Sequence, residues 1–258
     1  MVQLIKADLF KALKSKLSLI NLIIAVSLPL FMVLLYYFFG KLLGDDFGIA
    51  FNARSLIYSC FSISNNIGLA VPVFSAILVS LDLNNGSLRN KVIAGKKRTD
   101  IYLSHLIVSI IYNVTFMLLY FVVTTLFSLI FLDYGVKFAG EEVKSFFYMA
   151  LTGLLTFAFL ATITTFFALS MNSIAPAIIF TLVTNVLLMS IGAGISFVLD
   201  LEKFYRFFIY AFPTFTNTVS SMMSLDSEAF FVGISSYAIF GGANIVLGLL
   251  VFNKKDLK

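Results

Sequence analysis

The stretch Asp82-Leu-Asn-Asn-Gly-Ser-Leu-Arg-Asn-Lys-Val-Ile-Ala-Gly-Lys-Lys-Arg-Thr-Asp100 separates two long apolar runs. It carries five basic residues (Arg89, Lys91, Lys96, Lys97 and Arg98) against two acidic ones. The 258-residue chain around it is 60% hydrophobic and only 12% charged, where soluble domains carry about 25%. Apolar runs of this length cross a bilayer as helices, because an isolated span must satisfy its own backbone hydrogen bonds. The expected fold is therefore an all-α integral membrane protein, a single transmembrane domain over residues 1–258 embedded in a lipid bilayer. The net charge of +5 would suggest nucleic acid in a soluble chain. Here it reflects basic loops on one side of a membrane, and no nucleic-acid partner is expected.

Working outward from the island, the charge-free intervals are 17–40, 55–81, 101–132, 145–199, 207–225 and 229–253. A span needs roughly 20 apolar residues, so the long interval 145–199 holds two. Its natural break is Met171-Asn-Ser-Ile-Ala-Pro176, whose Asn, Ser and Pro favour a turn. Six transmembrane helices follow, near 17–40, 58–81, 103–132, 146–169, 175–199 and 229–252. The interval 207–225 has Pro213 near its middle and a polar run through Asn217 after it. Irregular backbone at membrane depth must be buried in protein or line water, so 203–226 reads as a re-entrant segment before the last span.

The charges orient this arrangement. Six spans put the N-terminus, the island and the C-terminus on one side, with 12 Lys/Arg and 4 Asp/Glu. The other side has 6 Lys/Arg and 9 Asp/Glu. Both termini are expected to be cytoplasmic, in a multi-pass protein of the plasma membrane. The first apolar run is longer than a signal-peptide core of roughly 7–15 residues, and no small-residue cleavage site follows it. Ahead of it, Val2, Ile5, Leu9, Phe10 and Leu13 fall at helical spacing, with Lys6, Lys11 and Lys14 largely off that stripe. This predicts an amphipathic interfacial helix; a plain positive-inside anchor accounts for the same residues.

No Asp, Glu, Lys, Arg or His falls near the middle of a predicted span. A midplane charge costs roughly 2.5–3.5 kcal/mol on insertion scales and is kept mainly for proton relays, ion pathways and voltage sensing. Its absence argues against a proton-coupled pump. There is no G-x-x-x-x-G-K-[ST] to cradle ATP phosphates and no catalytic constellation, which speaks against an enzyme. One cysteine, Cys60, precludes an intrachain disulfide, and with the one histidine, His105, speaks against a His/Cys metal site.

Within the island, Asn84, Asn85 and Gly86 break the second span. Ser87 is placed to cap a short helix Leu88–Ala94, Gly95 to end it, and Thr99 or Asp100 to cap the third span. The result is a short helix presented to the cytosol, although an ordinary basic loop has the same composition. An acidic residue ending span two (Asp82), then Gly86-Ser87-Leu88-Arg89, then Lys97-Arg98 opening span three, together with six spans and a basic N-terminus, resembles the permease subunit of type-2 ABC exporters. The family more often has Glu at the position of Asp82 and Thr at that of Ser87.

The resemblance implies that Asp82, Gly86, Ser87, Leu88, Arg89, Lys91, Lys97 and Arg98 form a coupling helix and its flanks, docking on a separate ABC ATPase subunit. It further implies no cofactor on this chain, ATP and Mg on that partner, and a second permease, identical or related. Stand-alone permeases of this length resemble those of lantibiotic-immunity and phenol-soluble-modulin exporters, which implies export of amphipathic or hydrophobic peptides. Drug or lipid export is the alternative within transport; a non-transporting scaffold or sensor subunit is the alternative outside it. Pathway candidates are Ser62, Asn65, Asn66, Pro72 and Asn185, whose polar groups equally suit hydrogen bonds between helices. Pro29 and Pro72 each remove a helical hydrogen bond within a span. Thirty Phe and eleven Tyr suit a greasy pathway or a lipid-facing surface.

Overall fold

Nine helices and no strand occur among the residues that the computed structural model describes, which are 1–43, 51–63, 66–135, 140–171, 173–198 and 227–255. In chain order they are α1 (Val2–Lys14), α2 (Lys16–Leu43), α3 (Ala53–Ser59), α4 (Asn66–Asn84), α5 (Ser87–Ile93), α6 (Arg98–Phe131), α7 (Gly140–Ser170), α8 (Ile174–Val198) and α9 (Ser227–Lys254). Five of them, α2, α4, α6, α7 and α9, are long and apolar enough to cross a membrane. The apolar segment recognised in α8 is shorter, Ile174–Leu188. The stretch 203–226, with Pro213 and Asn217, lies outside the described residues, as does Asn65.

The second span differs most from its sequence reading. Residues 58–81 do not form one helix. Asn52 caps α3, its side-chain oxygen accepting from the Ser55 amide at 2.9 Å, and α3 ends at Ser59. A turn follows, and α4 begins at Asn66. A charge-free interval cannot reveal this break, because the polar run Ser62-Ile63-Ser64-Asn65-Asn66 carries no charge. Pro29 and Pro72 both lie inside their helices.

Successive long helices run in alternating directions. α1 and α5 sit at one end of the bundle, which we call the α5 end. Here α4 and α7 finish and α6 begins. Lys255, one residue past α9, donates to the Leu169 and Met171 carbonyls at 2.8 and 2.7 Å. Arg98 donates to the carbonyls of Phe252, Asn253 and Lys255 at 3.3, 3.0 and 2.5 Å. The C-terminal carbonyls of α7 and α9, which lack intrahelical partners, are thus satisfied by cations that also complement the helix dipoles. Burial holds the Lys255 pKa below the ordinary lysine value.

At the opposite end one carboxylate organises the chain. Glu142 accepts from Arg54 Nε at 2.7 Å, from the Tyr58 hydroxyl at 2.9 Å and from the Tyr134 hydroxyl at 3.1 Å. The bond to Glu142 raises the Arg54 pKa above its ordinary value. The Arg54 guanidinium also lies 4.5 Å from the Tyr58 ring centroid. α3 is thereby clamped to the start of α7.

Between the ends lies a core of Tyr58, Phe61, Ile67, Met117, Tyr120 and Phe157, from α3, α4, α6, α7 and the turn after α3. Thr124, Thr164 and Thr165 bond to carbonyls one turn back in their own helices, so these hydroxyls are absorbed locally.

Gly153 of α7 faces this core so closely that a Cβ would lie 2.6 Å from Phe61 Cβ, which is fixed near the backbone. Gly242 of α9 has nothing within 4 Å of such a Cβ. Gly153→Ala is therefore expected to lower the thermal midpoint of detergent-solubilised protein, overpacking outweighing the helix propensity gained; the cost is about 1–3 kcal/mol. Gly242→Ala is expected to leave the midpoint unchanged or raise it. Equal responses at the two sites would contradict the packing described.

Candidate functional site

The α5 end holds a cluster of charges inside an otherwise apolar bundle, and α5 is at its centre. Gly86 precedes α5 in the left-handed region, φ 66°, which a residue with a Cβ resists. Ser87 is the first helical residue and does not cap, contrary to its sequence reading. The C-terminus follows expectation. Gly95 has φ 78°; its amide donates to Val92 O at 2.9 Å, and the Lys96 amide reaches back to Lys91 O at 3.1 Å. This is a Schellman closure, and it stops the helix within two turns. α6 then starts at Arg98, with Lys97 preceding it and no side-chain cap from Thr99 or Asp100.

The two faces of α5 differ in character. Leu88, only 1% exposed, packs with Leu4, Val79, Ile101, Tyr102 and Phe252, from α1, α4, α6 and α9. Arg89, Asn90, Ile93, Lys96 and Lys97 form the exposed side, with Ile93 72% exposed. Of the sequence candidates, Leu88 thus faces the bundle while Arg89 and Lys97 face away from it.

Lys91 ties α5 down. Its ammonium donates to Asp8 Oδ1 of α1 at 2.6 Å and to Asp82 Oδ2 of α4 at 3.1 Å, and lies 3.3 Å from His105 Nε2 of α6. Lys11 of α1 pairs with Asp82 Oδ1, and the Ser104 hydroxyl donates to Asp8 Oδ2 at 2.8 Å. Asp8, Asp82 and His105 are all buried. Two buried carboxylates would be expensive without counter-charges, and the two lysines supply them. A cavity of about 70 Å³ opens beneath, between α1, α4 and α6. Asp8, Asp82, His105, Ser75, Ser109 and Tyr112 are among the residues that line it.

The sequence reading found Asp82 and Lys91 and missed Asp8, Lys11 and His105. Its stripe on α1 was Val2, Ile5, Leu9, Phe10 and Leu13. The face that packs on the bundle is instead Leu4, Asp8 and Ala12, while Val2, Phe10 and Leu13 are exposed. The fourfold spacing of Leu4, Asp8 and Ala12 was the available signal. Of the pathway candidates, Ser62, Pro72 and Asn185 lie wholly among the described residues. Ser62 is buried in the turn before α4, and Pro72 lies inside α4. Only the backbone of Asn66 is described. Asn185 is buried in α8, its side-chain amide without a hydrogen-bond partner among the described residues.

A family model described as ABC-2 family transporter protein matches residues 4–188. The matched stretch runs from α1 into α8 and includes every member of the charge cluster. Comparison with curated proteins finds no match. The match covers more than half of the chain, and the protein belongs to the ABC-2 family of membrane transporter proteins.

Proposed function

We propose that this chain is the permease subunit of an ATP-driven exporter and that α5 is the helix through which an ABC ATPase subunit moves it. Family membership implies the ATPase partner and the membrane setting. The observation that carries the rest is the asymmetry of α5. It is short, closed by glycines at both ends and anchored on its inner side by Leu88 and Lys91. Its outer side offers one large apolar side chain, Ile93, among Arg89, Lys96 and Lys97. That combination suits a groove on another protein, and a helix so anchored transmits force to α1, α4 and α6 rather than flexing. ATP and Mg belong to the partner, and a second permease, identical or related, completes the transporter.

Six spans, both termini cytoplasmic, fit this assignment. α8 starts at Ile174, soon after α7 ends at Ser170, and α9 returns to the C-terminal carbonyls of α7 through Lys255. α8 thus runs away from the α5 end and α9 returns to it, a pairing that needs no further crossing between them and suits the re-entrant reading of 203–226. The apolar side chains of α1 that point away from the bundle, Val2, Phe10 and Leu13, suit the headgroup region of the cytoplasmic leaflet. For cargo we favour amphipathic or hydrophobic peptides of bacteriocin or toxin type, in keeping with the aromatic-rich spans and the resemblance to peptide-exporter permeases.

Copurification tests the docking role. Arg89→Asp with Ile93→Asp is expected to abolish retention of the ATPase subunit while leaving the permease folded, because both side chains point away from the bundle. Lys144→Asp, at the opposite end, is expected to retain it. An ATPase that stays bound to the doubly substituted α5 would refute the docking face. Orientation has its own check, in a Cys60→Ser background. An impermeant thiol reagent applied to intact cells should label cysteine at position 220 and spare cysteine at position 254. Labelling of both from one side would refute the six-span arrangement.

A further inference from the structure

The cluster beneath α5 has a feature that force transmission does not require. Its three non-lysine members are metal-ligand types: one ligand atom each from Asp8, Asp82 and His105 lie within 4.8 Å of one another. His105 Nε2 is 3.6 Å from Asp82 Oδ2 and 4.0 Å from Asp8 Oδ2. Ligand atoms around tetrahedral zinc stand about 3.3–3.6 Å apart, so the two imidazole–carboxylate separations already approach that spacing. Lys91 Nζ is 2.6, 3.1 and 3.3 Å from atoms of these same three residues, the position a cation bridging them would take.

Charge and cavity chemistry point the same way. Two carboxylates need two positive charges, which Lys11 and Lys91 now supply and which one divalent ion supplies alone. Both lysines reach solvent: the Lys11 side chain is 49% exposed and that of Lys91 15%. The adjoining cavity of about 70 Å³ has room for a water as fourth ligand. Ser75 and Ser109 line it, each at least 98% buried, and their hydroxyls have no hydrogen-bond partner among the described residues. They are placed to orient such a water, as outer partners of metal ligands do.

We propose that Asp8, Asp82 and His105 form a seat for one divalent transition-metal ion, with Lys91 and the metal as alternative occupants. The imidazole favours Zn2+ over Mg2+ or Ca2+, which prefer all-oxygen sites. The seat lies on this chain's own residues and does not depend on the exporter assignment.

Calorimetric titration of the purified, detergent-solubilised chain with Zn2+ tests this. One ion per chain is expected, with no comparable response to Mg2+. Lys91→Met is expected to tighten binding about fivefold or more, because it removes a competing charge at contact distance. Zn2+ should then also raise the thermal midpoint of that variant. Asp8→Asn and His105→Gln are expected to weaken binding about tenfold or more, while Asp100→Asn leaves it unchanged. Loss of the ATPase from α5 variants would not alter any of these results. Absence of Zn2+ binding to the Lys91→Met variant would overturn the proposal, as would affinity no higher than that of the parent. If that variant does not fold, the parent chain decides: binding that survives His105→Gln undiminished would overturn it equally.

Discussion

Two carboxylates, Asp8 and Asp82, are buried where a membrane helix bundle ends, and the rest of that end is arranged to neutralise them. Removing one partner from a buried ion pair is costly because the other charge is left uncompensated, by about 3–5 kcal/mol. Lys91 meets both carboxylates at once, and it can do so only from a helix held across the ends of α1 and α4. The requirement for neutrality therefore fixes α5 in place. The left-handed glycines at positions 86 and 95 let so short a helix turn in and out of that position. Leu88 adds an apolar anchor beside the ionic one.

The remaining contacts at this end extend the same rigid unit. Arg98 opens α6 and holds the last carbonyls of α9, while Lys255 leaves α9 and holds those of α7. Lys91 thus links the exposed helix α5 to α1, α4 and α6, and Arg98 links α6 to α9. At the far end Glu142 gathers Arg54, Tyr58 and Tyr134, so α3 and α7 are also joined. The bundle is fastened by polar groups at both ends and packed by aromatic and aliphatic side chains between them.

Much of the fold was legible because charge is costly in lipid. Each described long helix carries charges only near its ends, and α7 stops at Ser170, just ahead of the Asn, Ser and Pro of 171–176. The division of 53–84 into α3 and α4 was not legible, since no residue between Ser59 and Asn66 carries a charge. The basic island announced α5, and Gly95 announced its end. What the sequence could not show was the return of α1 to the same place. Asp8 and Lys11 read as ordinary residues of a basic N-terminus, and His105 as a lone histidine, because 71 to 97 positions separate Asp8 and Lys11 from Asp82, Lys91 and His105. Only the packing of α1 against α6 brings them together. The burial of Leu88 was hidden for the same reason: helical spacing over seven residues does not say which face meets the bundle.

Lys91 joins α5 to α1 through Asp8. A double-mutant cycle measures this directly, with thermal or denaturant stability recorded for the parent, Asp8→Asn, Lys91→Met and the double variant. Strong non-additivity is expected, with a coupling of about 0.5–3 kcal/mol and a double variant that is less destabilised than the sum of its parts. Additive losses would mean that the two residues act independently, and α5 would have to be held by something other than this ion pair.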